Sequence, residues 1–185
     1  MSRTYNVAVI VGSLREESLN RKAARALAGV APDNLRLEIV EIGELPFYNE
    51  DVEAAGAPRE WTSFREQVKA SDAVLFVTPE YNRSVPGVLK NAIDVGSRPY
   101  GASVFAGKPA AVMSVSPGAL GAFGANHHLR QSLVFLDMPV LQQPEAYIGG
   151  ATVFDDNGAI AEDSTREFFT NFIGAFGGLI ERTVG

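Results

Sequence analysis

Ser13, Arg15, Ser18 and Asn20 follow an apolar run, residues 7–11, that stops at Gly12. Two hydroxyls, a guanidinium and an amide gathered this closely suit an anion rich in oxygen acceptors. Residues 5–11 read as a strand, and an alanine-rich helical pattern opens at residue 18, so the polar group occupies a strand–turn–helix junction. Exposed backbone N–H groups and the positive end of a helix dipole point at such a junction. Arg15 adds a planar fork matched to phosphate oxygens. The competing reading is a polar turn with Ser18 as the helix N-cap. The loop is not a GxxxxGK[ST] P-loop, and it lacks the second and third glycines of a dinucleotide fingerprint. Without those glycines, Glu41 near the end of the second strand reads as a solvated edge residue and not as a ribose ligand.

Residues 78–91, TPEYNRSVPGVLKN, form the second chemical cluster. The plain reading is a polar turn followed by a helix whose first residue is Pro86. The functional reading is that Pro79 stiffens the loop, so that the backbone at Glu80, Tyr81 and Asn82 faces a planar heterocycle. A third loop, residues 116–124, carries Ser116 and the run Gly118, Gly121, Gly124. That run reads as loop and close helix packing, not as a second nucleotide site.

These loops need elements to hold them. Strands are expected at 5–11, 35–42, 73–77, 110–115 and 138–141, with helices at 18–30, 61–71, 86–95, 126–136 and 162–181. Residues 43–58 read as irregular, 147–154 as a minor edge piece and 154–158 as a turn. The inward helix faces are Ala23, Ala24, Leu27 and Ala28; Trp61, Phe64 and Val68; and Phe168, Phe169, Phe172, Ile173 and Phe176. Strands alternating with helices imply an α/β fold, a three-layer doubly wound parallel sheet of five strands in the order 2-1-3-4-5. In that order the chain reverses direction between strands one and three, and ligands bind there at the carboxyl ends of the strands. Loops 12–20 and 78–84 meet at that point, with 116–121 next along. At 185 residues the chain is expected to form one domain, 1–185.

Composition removes several function classes. With no cysteine there is no thiol nucleophile, disulfide, thiolate zinc site or iron–sulfur cluster. A net charge of −6 without a Lys/Arg run argues against nucleic acid. No apolar stretch approaches the ~18 residues of a membrane span, and residues 1–6 lack the layout of a signal peptide, so a cytoplasmic protein without membrane insertion is expected. His127 and His128 have no third ligand at metal spacing and read as helix residues near a subunit contact. Arg98 reads as surface charge. Arg83 reads either as surface charge or as a contact for a nicotinamide nucleotide phosphate or a partner subunit.

GSLREESLN, residues 12–20, resembles the GSxRxxSxN phosphate loop of the NAD(P)H-dependent FMN reductase family, a flavodoxin-like group. TPEYNRSVPGVLKNAID, residues 78–94, is similar to that family's second signature, PEYNxSxPGxLKNxID. The resemblance spans essentially the whole chain, including 116–118 and 128–131, and is strongest to the quinone and chromate reductase branch. It implies bound FMN, with Ser13, Arg15, Ser18, Leu19 and Asn20 and their amides on the 5′-phosphate. Each charge-assisted hydrogen bond of this kind is worth roughly 1.5–3 kcal/mol. Pro79, Glu80, Tyr81, Asn82 and Arg83 would line the isoalloxazine mostly through backbone, and Ser116 would approach its pyrimidine end.

The implied activity is a ping-pong one. NADPH or NADH gives a hydride to the flavin and leaves, and a quinone then takes the electrons; chromate, azo compounds or ferric complexes are further acceptors. The cofactor carries the chemistry, so no obligatory acid–base side chain is expected. The alternatives are a flavodoxin-like electron-transfer protein, whose phosphate loop is usually Thr-rich, and a reductase that uses FMN as a diffusible substrate. A receiver-type signalling domain would need acidic residues where this chain has Gly12-Ser13 and Thr78. The resemblance further implies a homodimer or homotetramer, with 86–96 and 126–137 as contact helices. One departure stands out. Relatives often carry an aromatic residue just after the KNxID segment, where this chain has Val95 and Gly96, so a wall of the flavin pocket is expected to be more open or completed by Tyr100 or a neighbouring subunit.

Overall fold

Val7, Val9 and Val11 face one side of the first strand and Ala8 and Ile10 the other, and all five are buried. A strand apolar on both faces requires cover on both. The computed structural model describes residues 3–150, 152–155 and 158–185. Its first half runs β1 (Tyr5–Val11), α1 (Leu19–Val30), β2 (Leu35–Val40), α2 (Glu50–Ala55), α3 (Arg59–Ala70) and β3 (Ala73–Thr78). Its second half runs α4 (Gly87–Gly96), β4 (Ala110–Ser116), α5 (Phe123–Phe135), β5 (Ala146–Gly149) and α6 (Asp163–Val184). The strands are parallel, in the expected order β2-β1-β3-β4-β5.

Two cores flank the sheet. Ala23, Ala24 and Leu27 of α1 and Phe169, Phe172, Ile173 and Phe176 of α6 cover one face. Trp61, Phe64 and Val68 of α3, with residues of α4 and α5, cover the other. Phe168 is only partly buried, and Ala28 faces solvent. Truncating a ring such as Phe172 to alanine would cost roughly 3–5 kcal/mol.

Four expectations are corrected. The fifth strand is Ala146–Gly149, not 138–141. Among the described residues the earlier segment pairs with β4 only through the bridge Ala110↔Val140. Pro139 has no N–H to extend that ladder and Pro144 interrupts the chain soon after. Within 43–58 a short helix, α2, forms on Asn49, whose Oδ1 accepts from Asp51 N at 2.8 Å. Pro86 is the N-cap of α4 and not its first helical residue. α5 starts at Phe123, three residues before Asn126. Asp156 and Asn157, part of the turn expected at 154–158, lie outside the described residues.

Arg65 of α3 grips Glu53 of α2 with hydrogen bonds of 2.9 and 2.5 Å. Those bonds hold the Glu53 carboxyl below the usual carboxylate range. The pair's stabilisation is therefore complete above the unfolded value, about 4.3. It is lost as pH falls through the lower folded value. Glu53→Gln is expected to melt below the unsubstituted chain at neutral pH and to converge with it in acid, as thermal denaturation across pH would read.

Candidate functional site

β1 and β3 end side by side, where Gly12 N donates to Val77 O at 2.9 Å. A Cβ at Gly12 would stand 3.0 Å from Leu89 Cδ2 and 3.2 Å from Pro79 Cδ. A larger residue would press on both side chains, so glycine suits the close approach of the first loop to α4 and to the second loop. Ser13, Ser18 and Asn20 are buried behind the loop, while Leu14 and Arg15 are exposed. Ser18 Oγ accepts from Arg21 N at 3.2 Å, so Ser18 does cap α1, worth about 1 kcal/mol. A hydroxyl that accepts in a cap still has its own proton to donate, so the capping and anion-binding roles are compatible.

Asn20 Nδ2 donates to Val115 O at 3.2 Å, tying the start of α1 to the end of β4. Its Oδ1 is buried without a partner. An unsatisfied buried acceptor costs roughly 1–3 kcal/mol, and a ligand hydroxyl would remove that cost. Arg21 pairs with Glu41 through two bonds of 2.7 Å, and Lys22 pairs with Glu17 at 2.9 Å. Glu41 is thus an exposed partner of Arg21. Among the described residues of this loop and the first turn of α1, Arg15 is the cation left without an ion pair. Helix N-terminal amides, free hydroxyl protons, an unpaired guanidinium and an orphaned acceptor fit a phosphate that carries a polyhydroxylated chain, as FMN does.

The second loop folds back on itself. Tyr81 N donates to Ser84 O at 3.1 Å and Ser84 N to Tyr81 O at 3.0 Å. Asn82 and Arg83 between them are left-handed, φ 52° and 64°, which is the backbone of a two-residue I′ turn. Tyr81, Pro86, Gly87 and Val88 line a cavity of about 420 Å³ together with Gly12, Ser13, Leu14 and Arg15. That volume lies in the small-molecule range of roughly 300–1,000 Å³. Two loops far apart in sequence therefore share one cavity at the point where the strand order reverses.

A larger cavity, about 600 Å³, lies between α3 and residues 98–108 at the opposite edge of the sheet. Its Lys108 is occupied there, donating to the carbonyls of Lys69 and Ser71 at the end of α3, and no strand–turn–helix junction faces it.

Ser13, Arg15 and Tyr81 thus line the shared cavity, and Ser18, Leu19 and Asn20 sit at the start of α1 behind it. Pro79 packs at Gly12. Asn82 and Arg83 form the turn, and Glu80 directs its carboxylate to α5, where Oε2 accepts from Ala125 N at 3.0 Å. Ser116 stands apart, as the last residue of β4, with its Oγ donating to Gly118 O at 3.3 Å. Gly121 and Gly124 are packing glycines, whereas Gly118 is not crowded. A Cβ at Gly121 would lie 2.5 Å from Tyr147 C, and one at Gly124 would lie 2.9 Å from Arg83 O. Tyr100 is exposed in the link from α4 to β4, at the edge of the sheet where strands begin, so it does not wall this cavity within one subunit. Gly96 is at the same edge, beneath the ring of buried Phe105, 2.5 Å from where its Cβ would be.

Four polar positions carry more than their sequence showed. Asn91 accepts from Tyr48 N at 2.9 Å and donates to Leu45 O and Pro46 O, holding the segment after β2 beside α4. Fully buried Asn126 joins Ser114 Oγ, Ala146 O and Arg130 Nε under the third loop. Its spacing to Leu129 and Leu133 on the inward face of α5 was the available signal. His127 and His128 diverge: His127 Nε2 is 2.9 Å from Tyr147 OH, and His128 Nδ1 is 2.9 Å from Ser84 Oγ. Burial, and then Glu145, push the Tyr147 hydroxyl up to about 12.

The chain is similar to known proteins over nearly its whole length. The chain is 67% identical over 177 residues to a quinone reductase of Pseudomonas putida, covering 95% of each. It is 45% identical over 168 residues to a 2-hydroxy-1,4-benzoquinone reductase of Burkholderia sp, covering 90% of this chain and 91% of that one. FerB, a flavoenzyme NAD(P)H:(acceptor) oxidoreductase from Paracoccus denitrificans, superposes with a TM-score of 0.91 at 42% identity, covering 97% of this chain and 99% of that one. The family model described as NADPH-dependent FMN reductase matches residues 5–153, a span that holds all three loops and both signatures. The chain belongs to the NADPH-dependent FMN reductase family.

Proposed function

We propose that this chain is an NAD(P)H-dependent, FMN-bearing quinone reductase. In this reading loop 12–20 seats the cofactor phosphate and residues 79–83 face its ring. The observation that carries the reading is the cavity shared by Gly12, Ser13, Leu14 and Arg15 with Tyr81, Pro86, Gly87 and Val88. Support also comes from the relatives above, two quinone reductases and a flavoenzyme NAD(P)H:(acceptor) oxidoreductase.

FMN, when bound, would supply the hydride chemistry between NADPH or NADH and the acceptor. The chain's own part is to bind and orient. Arg15 and the amides at the start of α1 neutralise the phosphate. Asn20 Oδ1 accepts from a hydroxyl of the cofactor chain. Ser13 and Ser18 donate hydroxyl protons, the turn at 81–84 presents backbone groups to the ring, and Ser116 approaches from the third loop. Tyr81 is 55% exposed at the mouth and leaves room for a flat small-molecule acceptor. That openness supports quinones first and chromate, azo compounds or ferric complexes as lesser acceptors.

The 185 residues act as one unit, 1–185, in the cytoplasm, where nicotinamide nucleotides are supplied. Among the described residues no helix is long and apolar enough to cross a membrane. Val134 and Phe135 of α5 are 75% and 73% exposed. Apolar side chains this open on a helix favour association into a homodimer or homotetramer.

The test is an absorbance measurement on the purified protein. NADPH alone is expected to bleach the visible flavin band, and a benzoquinone to restore it. Bleaching only in the presence of a partner protein would instead mark an electron carrier. Loss of the yellow colour on gel filtration would mark FMN as a diffusing substrate.

A further inference from the structure

α5 begins without a cap of its own. Its N-cap residue, Ala122, is left-handed at φ 61° and offers no side-chain acceptor. The first N–H groups of a helix need partners from elsewhere. One is supplied by Glu80, 45 positions earlier, whose Oε2 accepts from Ala125 N at 3.0 Å. The helix dipole favours a carboxylate at that place, and the Glu80 side chain is only 15% exposed.

Glu80 is also the residue that leads into the Tyr81–Ser84 turn. Left-handed backbone is disfavoured for an arginine, so Arg83 depends on what surrounds it. Those surroundings are Glu80, whose Oε1 accepts from Arg83 Nη1 at 3.5 Å, and α5. A Cβ at Gly124 would stand 2.8 Å from Glu80 Oε2 and 2.9 Å from Arg83 O, so the helix and the turn approach as closely as a glycine allows. One helical turn further, His128 Nδ1 lies 2.9 Å from Ser84 Oγ.

We propose that Glu80 and Gly124 are positioning residues for the flavin ring. They mount the Tyr81–Ser84 turn on the start of α5, so that the turn is ordered before FMN arrives and no ordering cost is subtracted from cofactor affinity. The mount also joins the second loop to the third, which ends at Ala122. This inference rests on the reading that residues 79–83 face the ring.

Two measurements on the full chain separate the mount from that reading. Hydrogen exchange at amides 81–84, without and with FMN, reads the mount, and FMN titration reads its consequence. Glu80→Ala is expected to speed exchange at these amides, and to raise the FMN dissociation constant, by about tenfold or more. Gly124→Ala keeps every hydrogen-bonding group yet pushes Arg83 away, and is expected to act in the same direction. Glu80→Gln keeps an acceptor for Ala125 N and is expected to stay within about threefold of the unsubstituted chain. Unchanged exchange in both Glu80→Ala and Gly124→Ala would overturn the mount. Faster exchange with unchanged FMN affinity would overturn the placement of the ring on this turn. A Glu80→Gln chain as weak as Glu80→Ala would overturn acceptor geometry as the cause.

Discussion

Arg15→Ala is expected to raise the dissociation constant for FMN by roughly 10- to 150-fold, the equivalent of about 1.5–3 kcal/mol for a hydrogen bond to a charged group. The fold should be untouched. Arg15 is exposed and holds no ion pair among the described residues, and substitutions of that kind usually fall within about 0.5 kcal/mol. Its neighbours cannot compensate cheaply, because Arg21 is fixed to Glu41 and Lys22 to Glu17. Arg15→Lys keeps the charge and loses the planar fork, so its affinity should fall between the two. Raising salt should narrow the gap between the parent and Arg15→Ala, since an exposed guanidinium is screened. Fluorescence titration of the FMN-free chain reads all three effects. An Arg15→Ala chain with unchanged affinity and unchanged NADPH oxidation would remove the 12–20 loop from the phosphate.

The parts of this site that could be read from sequence are those written in local periodicity. The unbroken apolar strands, the one-sided helices and the loop residues between them give the order of the sheet, and the order alone brings residues 12–20 to residues 78–84. What escaped was written in contacts between distant segments. The start of α5 is expected at Asn126, and its actual N-cap, Ala122, has no side chain that could signal an earlier one. The helix instead starts at Phe123, since its acceptor comes from Glu80. Asn126 is then free to serve as a buried hub beneath the third loop. The last strand escaped for the opposite reason. Residues 138–141 are more apolar than Ala146–Gly149, but a strand is defined by its ladder, and Pro139 cannot donate to one. α2 carried its own signals, an Asn N-cap and three acids in its first turn, obscured by the glycines and prolines on either side.

Gly121→Ala is expected to be the most damaging single-methyl change in the chain. At φ +56° the residue is left-handed, and the added carbon would lie 2.5 Å from Tyr147 C, 2.7 Å from Ile148 N and 2.9 Å from Tyr147 O. These are backbone atoms of β5, and no side-chain rotation relieves the contact. Ser114 Oγ holds the Gly121 carbonyl from the other side at 2.7 Å, and Asn126 Nδ2 is bonded to the same hydroxyl at 3.2 Å. Moving the loop outward therefore breaks a buried network as well as relieving the overlap. Overpacking and an opened buried hydrogen bond together cost roughly 2–5 kcal/mol. For a chain of this size that lowers the melting temperature by roughly 5–15 °C. Gly29→Ala is the matched control. It sits in α1 with nothing within 4 Å of its added methyl, and should be neutral or stabilising by up to about 1 kcal/mol. Calorimetry on the two variants separates close backbone packing from the generic effect of replacing a glycine. A Gly121→Ala chain that melts with the parent would mean that the third loop yields freely. It could then not hold Ser116 in place for a ring.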